Sequence, residues 1–246
     1  EFRRVLFRSF FARTRFDSPV DDLAAVRAIV EERTARFTPT LSLRLETAHR
    51  RAVVMVSQYD HCLLDLLYRW DAGELPLDIT AIVSNHEVCQ PIAERHGIAF
   101  VHLPVTPETK ADAEAQLLAI VEAQGIDVVI LARYMQILSD DACHALSGRI
   151  INIHHSFLPA FAGADPYGRA FERGVKIIGA TAHYATEDLD EGPIIEQDVV
   201  RVSHGDTRES LMRLGREVER SVLARAVQWH IEDRVFVHGN RTVVFH

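Results

Sequence analysis

The sequence predicts an α/β protein built on a mostly parallel, doubly wound sheet, and three observations carry this prediction. From about residue 50 onward, short apolar runs alternate with helical stretches. These runs are apolar on both faces, as expected for strands that helices cover from both sides. Two later strands are joined by a short acidic link, which indicates an antiparallel pair added to the parallel strands.

The elements follow in a regular order along this part of the chain. Apolar runs of strand length predict five parallel strands, at 52–57, 77–85, 99–105, 127–133 and 149–156. Intervening stretches predict helices at 62–70, 88–97 and 110–125. The antiparallel pair is expected at 176–186 and 192–202, followed by a long amphipathic helix at about 207–232 and a closing strand at 241–245.

The first fifty residues have a different pattern. Residues 1–9 lack an initiator Met and are rich in Arg, so we expect a non-native or truncated leader there. A strand is predicted at 10–16, a helix with an apolar stripe at 21–37, and an alternating, half-buried strand at 40–46. The charged stretch 47–51 then predicts a domain boundary.

Composition excludes several classes of function. With 27 Lys and Arg against 35 Asp and Glu, the formal charge is −8, which argues against non-specific binding of nucleic acid. No apolar run approaches the ~18 residues of a spanning helix, so no membrane partner is expected. The three cysteines, Cys62, Cys89 and Cys143, form neither a metal-binding nor a disulfide pattern, and we expect a reducing, cytoplasmic location.

The fifth strand, 149–156, ends in polar residues that a core strand does not need. Side chains alternate across a strand, so Asn152 and His154 share one face while His155 points to the other. An amide can donate to a developing oxyanion, and an imidazole can move protons near neutral pH. Ligands of open α/β sheets bind beyond the carboxyl ends of the strands. The chain places polar residues at four such ends: Ser57, the turn 84–86, Arg133–Gln136 and His154–Ser156.

A second polar cluster lies in the link between the antiparallel strands, where four acids occur within residues 187–191. Such a run is often only a solvated loop. Beside the Asn–His strand, however, a carboxylate could orient His154 and position a water. His154, His183 and Asp190 could instead bind zinc, but their spacing matches no zinc motif, and no metal is expected.

Several ordered segments carry a resemblance to a known family. "MVSQYDHCLLDLLYRW", "VSNH", "LPVTPETK", "LARYMQIL" and the long stretch that begins "NIHHSFLPAF" occur in one order across residues 50–246. They resemble the folate-dependent formyltransferase fold family, and within it the formyltetrahydrofolate deformylases. The resemblance implies a formyltransferase-type catalytic domain at 52–246. Because these enzymes also carry an N-terminal ACT domain, it implies a partial ACT-like domain at 10–46.

The resemblance also implies roles for particular residues. Asn152 and His154 of "NIHHS" and Asp190 of "DLDEG" would be the catalytic triad. A pterin pocket would be lined by the segment "LARYMQIL", through Arg133, Tyr134, Met135, Gln136, Ile137 and Leu138. Asp165 departs from the family pattern, which more often has a basic or amide side chain there.

The implied reaction is hydrolysis of 10-formyltetrahydrofolate to formate and tetrahydrofolate, with no metal or redox cofactor. The expected partners are the folate substrate, water and further copies of the chain in a homo-oligomer. Two other classes stay open: formyl transfer to a nucleotide, a sugar or an aminoacyl-tRNA, and folate sensing without catalysis. Related transferases hold an acceptor phosphate on a Gly-rich loop after the first strand. Here residues 57–70 contain no glycine, and Tyr59 and Asp60 add bulk and negative charge, which favours water as the nucleophile.

Overall fold

The chain divides into two units, Glu1–His49 and Arg50–His246, in the computed structural model, which describes residues 4–6, 9–160 and 165–246. The division falls within the charged stretch 47–51 that the sequence predicts as a boundary. The identity of residues 10–46 as a partial ACT-like domain stays a prediction.

Among its described residues, the smaller unit contains one hairpin and one α-helix. Strands β1, Arg4–Leu6, and β2, Ser9–Phe11, pair antiparallel, so residues expected to be only a leader contribute a strand. Residues 1–3, 7 and 8 of that leader lie outside the described part. Helix α1 spans Leu23–Thr34, begins at the N-cap Asp22 and continues into a 3₁₀ turn, Ala35–Phe37.

The two strands predicted around this helix are only partly correct. The first stops at Phe11 rather than at residue 16. The second, at 40–46, is wrong: no strand forms there, although the backbone carbonyl of Leu43 accepts a hydrogen bond from Arg27 on α1. A strand needs a hydrogen-bonding neighbour, and alternation of leucines does not supply one.

A seven-stranded sheet forms the centre of the larger unit. Its spatial order is β5-β4-β3-β6-β7-β8-β9. The first five strands run parallel, β8 pairs antiparallel with β7, and β9 pairs antiparallel with β8. This confirms the predicted doubly wound sheet with an antiparallel pair. The strands are β3 Arg50–Val56, β4 Leu77–Ser84, β5 Ala99–His102, β6 Val128–Leu131, β7 Ile150–His154, β8 Ile177–Tyr184 and β9 Ile194–Arg201.

Helices cover both faces of this sheet. Along β3, Ala52, Val54 and Val56 pack on the side of α2 and α7, while Val53 and Met55 pack on the side of α4 and α5. Each of these five residues is at most 1% exposed, as the doubly apolar pattern requires. The helices are α2 His61–Asp71, α3 Gln90–Arg95, α4 Lys110–Ala123, α5 Asp140–Ala145, α6 Pro166–Arg173 and α7 Arg208–Ile231.

In the described part of the larger unit, the sequence did not predict the α-helices α5 and α6 or the first strand of a closing hairpin, β10 Val235–His238 paired with β11 Arg241–Val244. Both helices are short, so neither provides the repeated turns that a helical pattern needs. Within the described ranges, no helix combines the length and the apolar character needed to cross a membrane.

Candidate active site

Three strand ends meet at one edge of the sheet, as the sequence predicts for parallel strands. The hydroxyl of Ser57, after β3, donates to Oδ1 of Asn85, after β4, over 2.6 Å. The same hydroxyl accepts from the backbone N–H of Met135, after β6, at 2.9 Å. The backbone N–H of Ser57 also donates to the carbonyl of Arg133 at 3.3 Å. This buried serine therefore ties together the loops on which the site is built.

Asn152 lies half-buried on β7, directly opposite His183 of β8. Nδ1 of His183 lies 3.0 Å from the carbonyl of Tyr184, and since a carbonyl only accepts, Nδ1 carries the proton. Burial lowers the pKa of His183, so the ring is neutral and its Nε2 accepts from the amide of Asn152 at 3.1 Å. His183 thus fixes the orientation of Asn152 and leaves one amide N–H to point elsewhere.

His154, at the end of β7, is held by Asp190. Its Nδ1 lies 3.1 Å from Oδ1 of Asp190, and the ring is 6% exposed. The carboxylate can only accept, so Nδ1 donates, and Nε2 is left as the reactive nitrogen. Nε2 is buried and has no hydrogen-bond partner among the residues that the structure describes. A buried polar atom without a partner costs about 1–3 kcal/mol, and such atoms mark places where another molecule binds.

Asp190 reaches His154 from the loop between β8 and β9. Its backbone is left-handed, with φ 61°, a conformation that Asp tolerates better than most residues. Gly192 allows the loop to turn back, because a Cβ at this position would lie 1.8 Å from the carbonyl oxygen of Tyr184. Burial would raise the pKa of the Asp190 carboxyl, but the interaction with His154, chiefly its hydrogen bond, outweighs burial and lowers the pKa. The acid is therefore ionised at neutral pH.

His155 points to the opposite face of β7, as predicted from strand alternation. Its ring centroid lies 5.2 Å from that of His154 and 6.2 Å from that of Tyr167. Burial, helped by the positive charge of Arg133, lowers the pKa of His155 to about 3. His154 therefore has a neutral neighbour rather than a second cation.

The predicted folate segment follows β6 and divides by exposure. Arg133, Tyr134 and Leu138 are buried, whereas Met135 and Ile137 are half exposed or more and Gln136 is intermediate. Tyr134 and Leu138 belong to the apolar core on the side of α4 and α5, and burial raises the pKa of Tyr134 to about 12.

Arg133 differs from its neighbours in this segment. It is left-handed, with φ 64°, and neither its buried Nε nor its buried Nη1 forms a hydrogen bond within residues 4–6, 9–160 and 165–246. A left-handed backbone is uncommon for a residue with a long side chain. The guanidinium also lies 5.5 Å from the centroid of the Tyr59 ring.

Two further residues from the sequence analysis take other roles. Asp165 is the N-cap of α6, where it accepts from the backbone N–H of Gly168 at 3.1 Å and pairs with Arg208 at 2.7 Å; both charged side chains are about half exposed. His183, considered as a zinc ligand, lies 3.8 Å from Oδ1 of Asp190 and is engaged by Asn152 instead.

Sequence reasoning missed the role of His183 and the contribution of Glu219, which lies on the other face of the sheet and is described below. A signal for His183 was present, because a polar residue interrupts the apolar strand "IIGATAHY" next to the Asn–His strand. Its pairing with Asn152 depends on the register between β7 and β8, which the sequence does not specify.

Comparison with known proteins agrees with this architecture. The family model described as formyl transferase matches residues 50–227, so the fold and the site define the class of a formyl transferase domain. The formyltetrahydrofolate deformylase of Bacillus subtilis is 50% identical over 241 residues, which cover 96% of this chain and 79% of the relative. The chain belongs to the formyltetrahydrofolate deformylase family, a family of enzymes.

Solved structures agree with the assignment. A formyltetrahydrofolate deformylase from Pseudomonas putida superposes with a TM-score of 0.93 at 47% identity, covering 99% of this chain and 88% of that one. A glycinamide ribonucleotide transformylase from Symbiobacterium toebii superposes less closely, with a TM-score of 0.76 at 31% identity, covering 84% of this chain and 99% of that one.

Proposed function

We propose that this enzyme hydrolyses 10-formyltetrahydrofolate to formate and tetrahydrofolate, with Asn152, His154 and Asp190 as its catalytic residues. The observation that carries the proposal is the state of His154. One nitrogen is fixed by a carboxylate, and the other is buried at the carboxyl edge of the sheet, without a hydrogen-bond partner in the described part of the chain. An imidazole held in this way is suited to act on a substrate atom.

In the proposed reaction, the folate binds along residues 133–138 and its formyl group lies beside Asn152 and His154. The buried Tyr134 and Leu138 would shape the pocket from within the core, and the exposed Met135 and Ile137 would contact the ligand directly. Arg133 would offer its buried Nη1, which forms no hydrogen bond to any residue that the structure describes.

A water positioned by the Asp190 carboxylate attacks the formyl carbon. The free N–H of Asn152 and the Nε2 proton of charged His154 stabilise the oxyanion of the tetrahedral intermediate. The bond from the carbon to N10 then breaks as N10 takes up a proton. One of the two protons of the water ends on N10, and the other is released when formic acid ionises to formate. No step requires a metal or a redox cofactor.

Water is favoured over an amine acceptor because of the loop after β3. Residues 57–60 carry the buried Ser57 and the exposed side chains of Tyr59 and Asp60, and no glycine. The aromatic ring and the carboxylate leave little place for an acceptor phosphate.

One assay separates the proposed hydrolysis from formyl transfer and from folate sensing. The full chain is incubated with 10-formyltetrahydrofolate alone and formate is measured with a coupled dehydrogenase. We expect formate without any acceptor, loss of formate but not of folate binding in His154→Ala, and wild-type activity in the control His204→Ala, which alters an exposed histidine. Formate only after addition of an amine acceptor would indicate a transferase. Folate binding without formate would indicate a sensor.

A further inference from the structure

A buried acid on α7 lies on the face of the sheet opposite Asp190. Glu219 is 1% exposed, although it shares the apolar face of α7 with Val222, Leu223 and Ala226. A buried charge in such a place must be paired, because burial without partners is strongly unfavourable. Nothing in the proposed reaction uses this carboxylate, so its burial needs another explanation.

Three side chains from three other elements converge on Glu219. The hydroxyl of Tyr167, on α6, donates to Oε1. Nε2 of His61, at the start of α2, lies 2.8 Å from Oε2, and Nε of Arg133, after β6, lies 3.3 Å from the same oxygen. Gly215, one turn earlier on α7, makes room for this arrangement, since a Cβ there would lie 2.1 Å from the Tyr167 hydroxyl.

These contacts keep Glu219 ionised. Burial would raise the pKa of its carboxyl, but the hydrogen bond from His61 and the charge of Arg133 outweigh burial, and the pKa lies below its ordinary value. The donor atoms of His61, Cys62 and Glu219 also lie within 4.8 Å of one another, a spacing that a metal ion could use. The guanidinium of Arg133 already neutralises the carboxylate, and burial raises the pKa of Cys62 well above its ordinary value, so the thiol keeps its proton.

The cluster touches the candidate active site at two points. Arg133 begins the segment 133–138 and holds an uncommon left-handed backbone. Tyr167 lies beside His155, the neighbour of His154 on the catalytic strand. A fixed carboxylate on the opposite face of the sheet can thus hold the folate segment and the end of β7 in a fixed position relative to each other.

We propose that Glu219 is a positioning residue, whose carboxylate fixes Arg133 and Tyr167 and so places the folate-contacting segment against the catalytic strand. The proposal rests on the proposed function for the identity of the substrate, but the placement it describes applies to any folate bound there. Glu219 itself does not touch the reacting atoms.

The central test is Glu219→Gln, which keeps the shape of the side chain and removes its charge. We expect KM for 10-formyltetrahydrofolate to rise about tenfold or more, with a smaller change in kcat, because the chemical groups remain in place. Tyr167→Phe, which removes one hydroxyl, should raise KM less. The matched control is Glu217→Gln, an exposed acid on the same helix, with kinetics like those of wild type.

A double-mutant cycle distinguishes positioning from a general loss of stability. Removing both charges, in Arg133→Met with Glu219→Gln, leaves no unpaired buried charge, so this variant should fold even if Glu219→Gln alone does not. In the Arg133→Met background, Glu219→Gln should raise KM no more than Tyr167→Phe does in the wild type, because the part of its effect that passes through Arg133 is gone and only the contact with Tyr167 remains. Additive effects on KM, or an unchanged KM in a Glu219→Gln variant that melts like wild type, would overturn the proposal.

Two further readouts keep the result separate from the proposed function. The dissociation constant of tetrahydrofolate, measured by the quenching of tryptophan fluorescence, should show the same non-additive pattern as KM. If the wild type releases no formate, the proposed function fails while the binding cycle still tests the role of Glu219. Stabilisation of the wild type by added zinc, lost in Glu219→Gln, would make the cluster a metal site and refute the positioning role.

Discussion

Replacement of Asp190 by Asn tests the central contact of the site. Asn keeps the shape of the side chain and tolerates the left-handed backbone at φ 61°, so the loop should keep its conformation. The 3.1 Å contact with Nδ1 of His154 becomes a neutral hydrogen bond, whose contribution falls from about 1.5–3 to about 0.5–1.5 kcal/mol. Loss of the carboxylate also removes the group that would position water, a contribution of about 10²–10⁴-fold. We expect kcat for formate release to fall by about 10²–10⁴-fold, with KM within about threefold of wild type.

The assay is steady-state formate release, with the single variants Asp190→Asn and His154→Ala and their combination. Since the two residues act as one unit, the double variant should be little worse than the poorer single variant. Losses that multiply would show that they act independently. A kcat within about threefold of wild type in Asp190→Asn would refute the assignment of Asp190, because either contribution alone exceeds that change.

The remaining predictions concern other parts of the molecule. Asn152→Ala should lower kcat by about 10²–10³-fold, the scale for one oxyanion donor, and an unchanged kcat would remove the amide from the mechanism. Formate release should survive exhaustive treatment with EDTA, whereas loss of activity with rescue by zinc would show a metal-dependent reaction. The lowered pKa of Asp190 means that its ionised form stabilises the fold at neutral pH, and this contribution is lost as pH falls through that pKa. We therefore expect the wild type to be more stable than Asp190→Asn at neutral pH. The difference between their free energies of unfolding, measured with urea, should shrink below about pH 4. Limited proteolysis should cut near residues 47–51 and leave a fragment that still binds folate; destruction of that fragment, or hydrogen exchange in 10–46 as slow as in 128–131, would contradict the boundary.

The sheet of the larger unit was accessible from sequence because its strands are buried on both faces. A run such as "AVVMV" is apolar on both faces and therefore fits only a strand that is covered from both sides. The order of strands and helices then restricts the topology to a few arrangements. The convergence of Ser57 with the loops after β4 and β6 follows from the parallel direction of those strands. Asn152 and His154 were placed on one face by alternation alone.

The sequence does not predict the role of a residue when that role depends on strand register or on a partner that is distant in the chain. His183 acquires its role from lying opposite Asn152, and the sequence does not state which residue of β8 lies there. Glu219 looks like an ordinary surface acid of an amphipathic helix, since its three partners come from α2, α6 and the loop after β6. The strand predicted at 40–46 failed for a related reason, because its alternating pattern carries no information about a neighbouring strand.

Several residues other than glycine have a left-handed backbone, which affects the substitutions that selection for stability would favour in this fold. Of five such residues in the described part of the chain, Arg133 and Asp190 belong to the candidate site and Asp165 caps the helix that carries Tyr167. Each holds a conformation in which glycine would be more favourable by roughly 1 kcal/mol. Replacement of Asp190 by Gly would relieve this strain, but it would also remove the contact with His154, a charge-assisted hydrogen bond of about 1.5–3 kcal/mol. The contact therefore outweighs the strain, and selection for stability and selection for formate release should favour the same residue, Asp, at position 190.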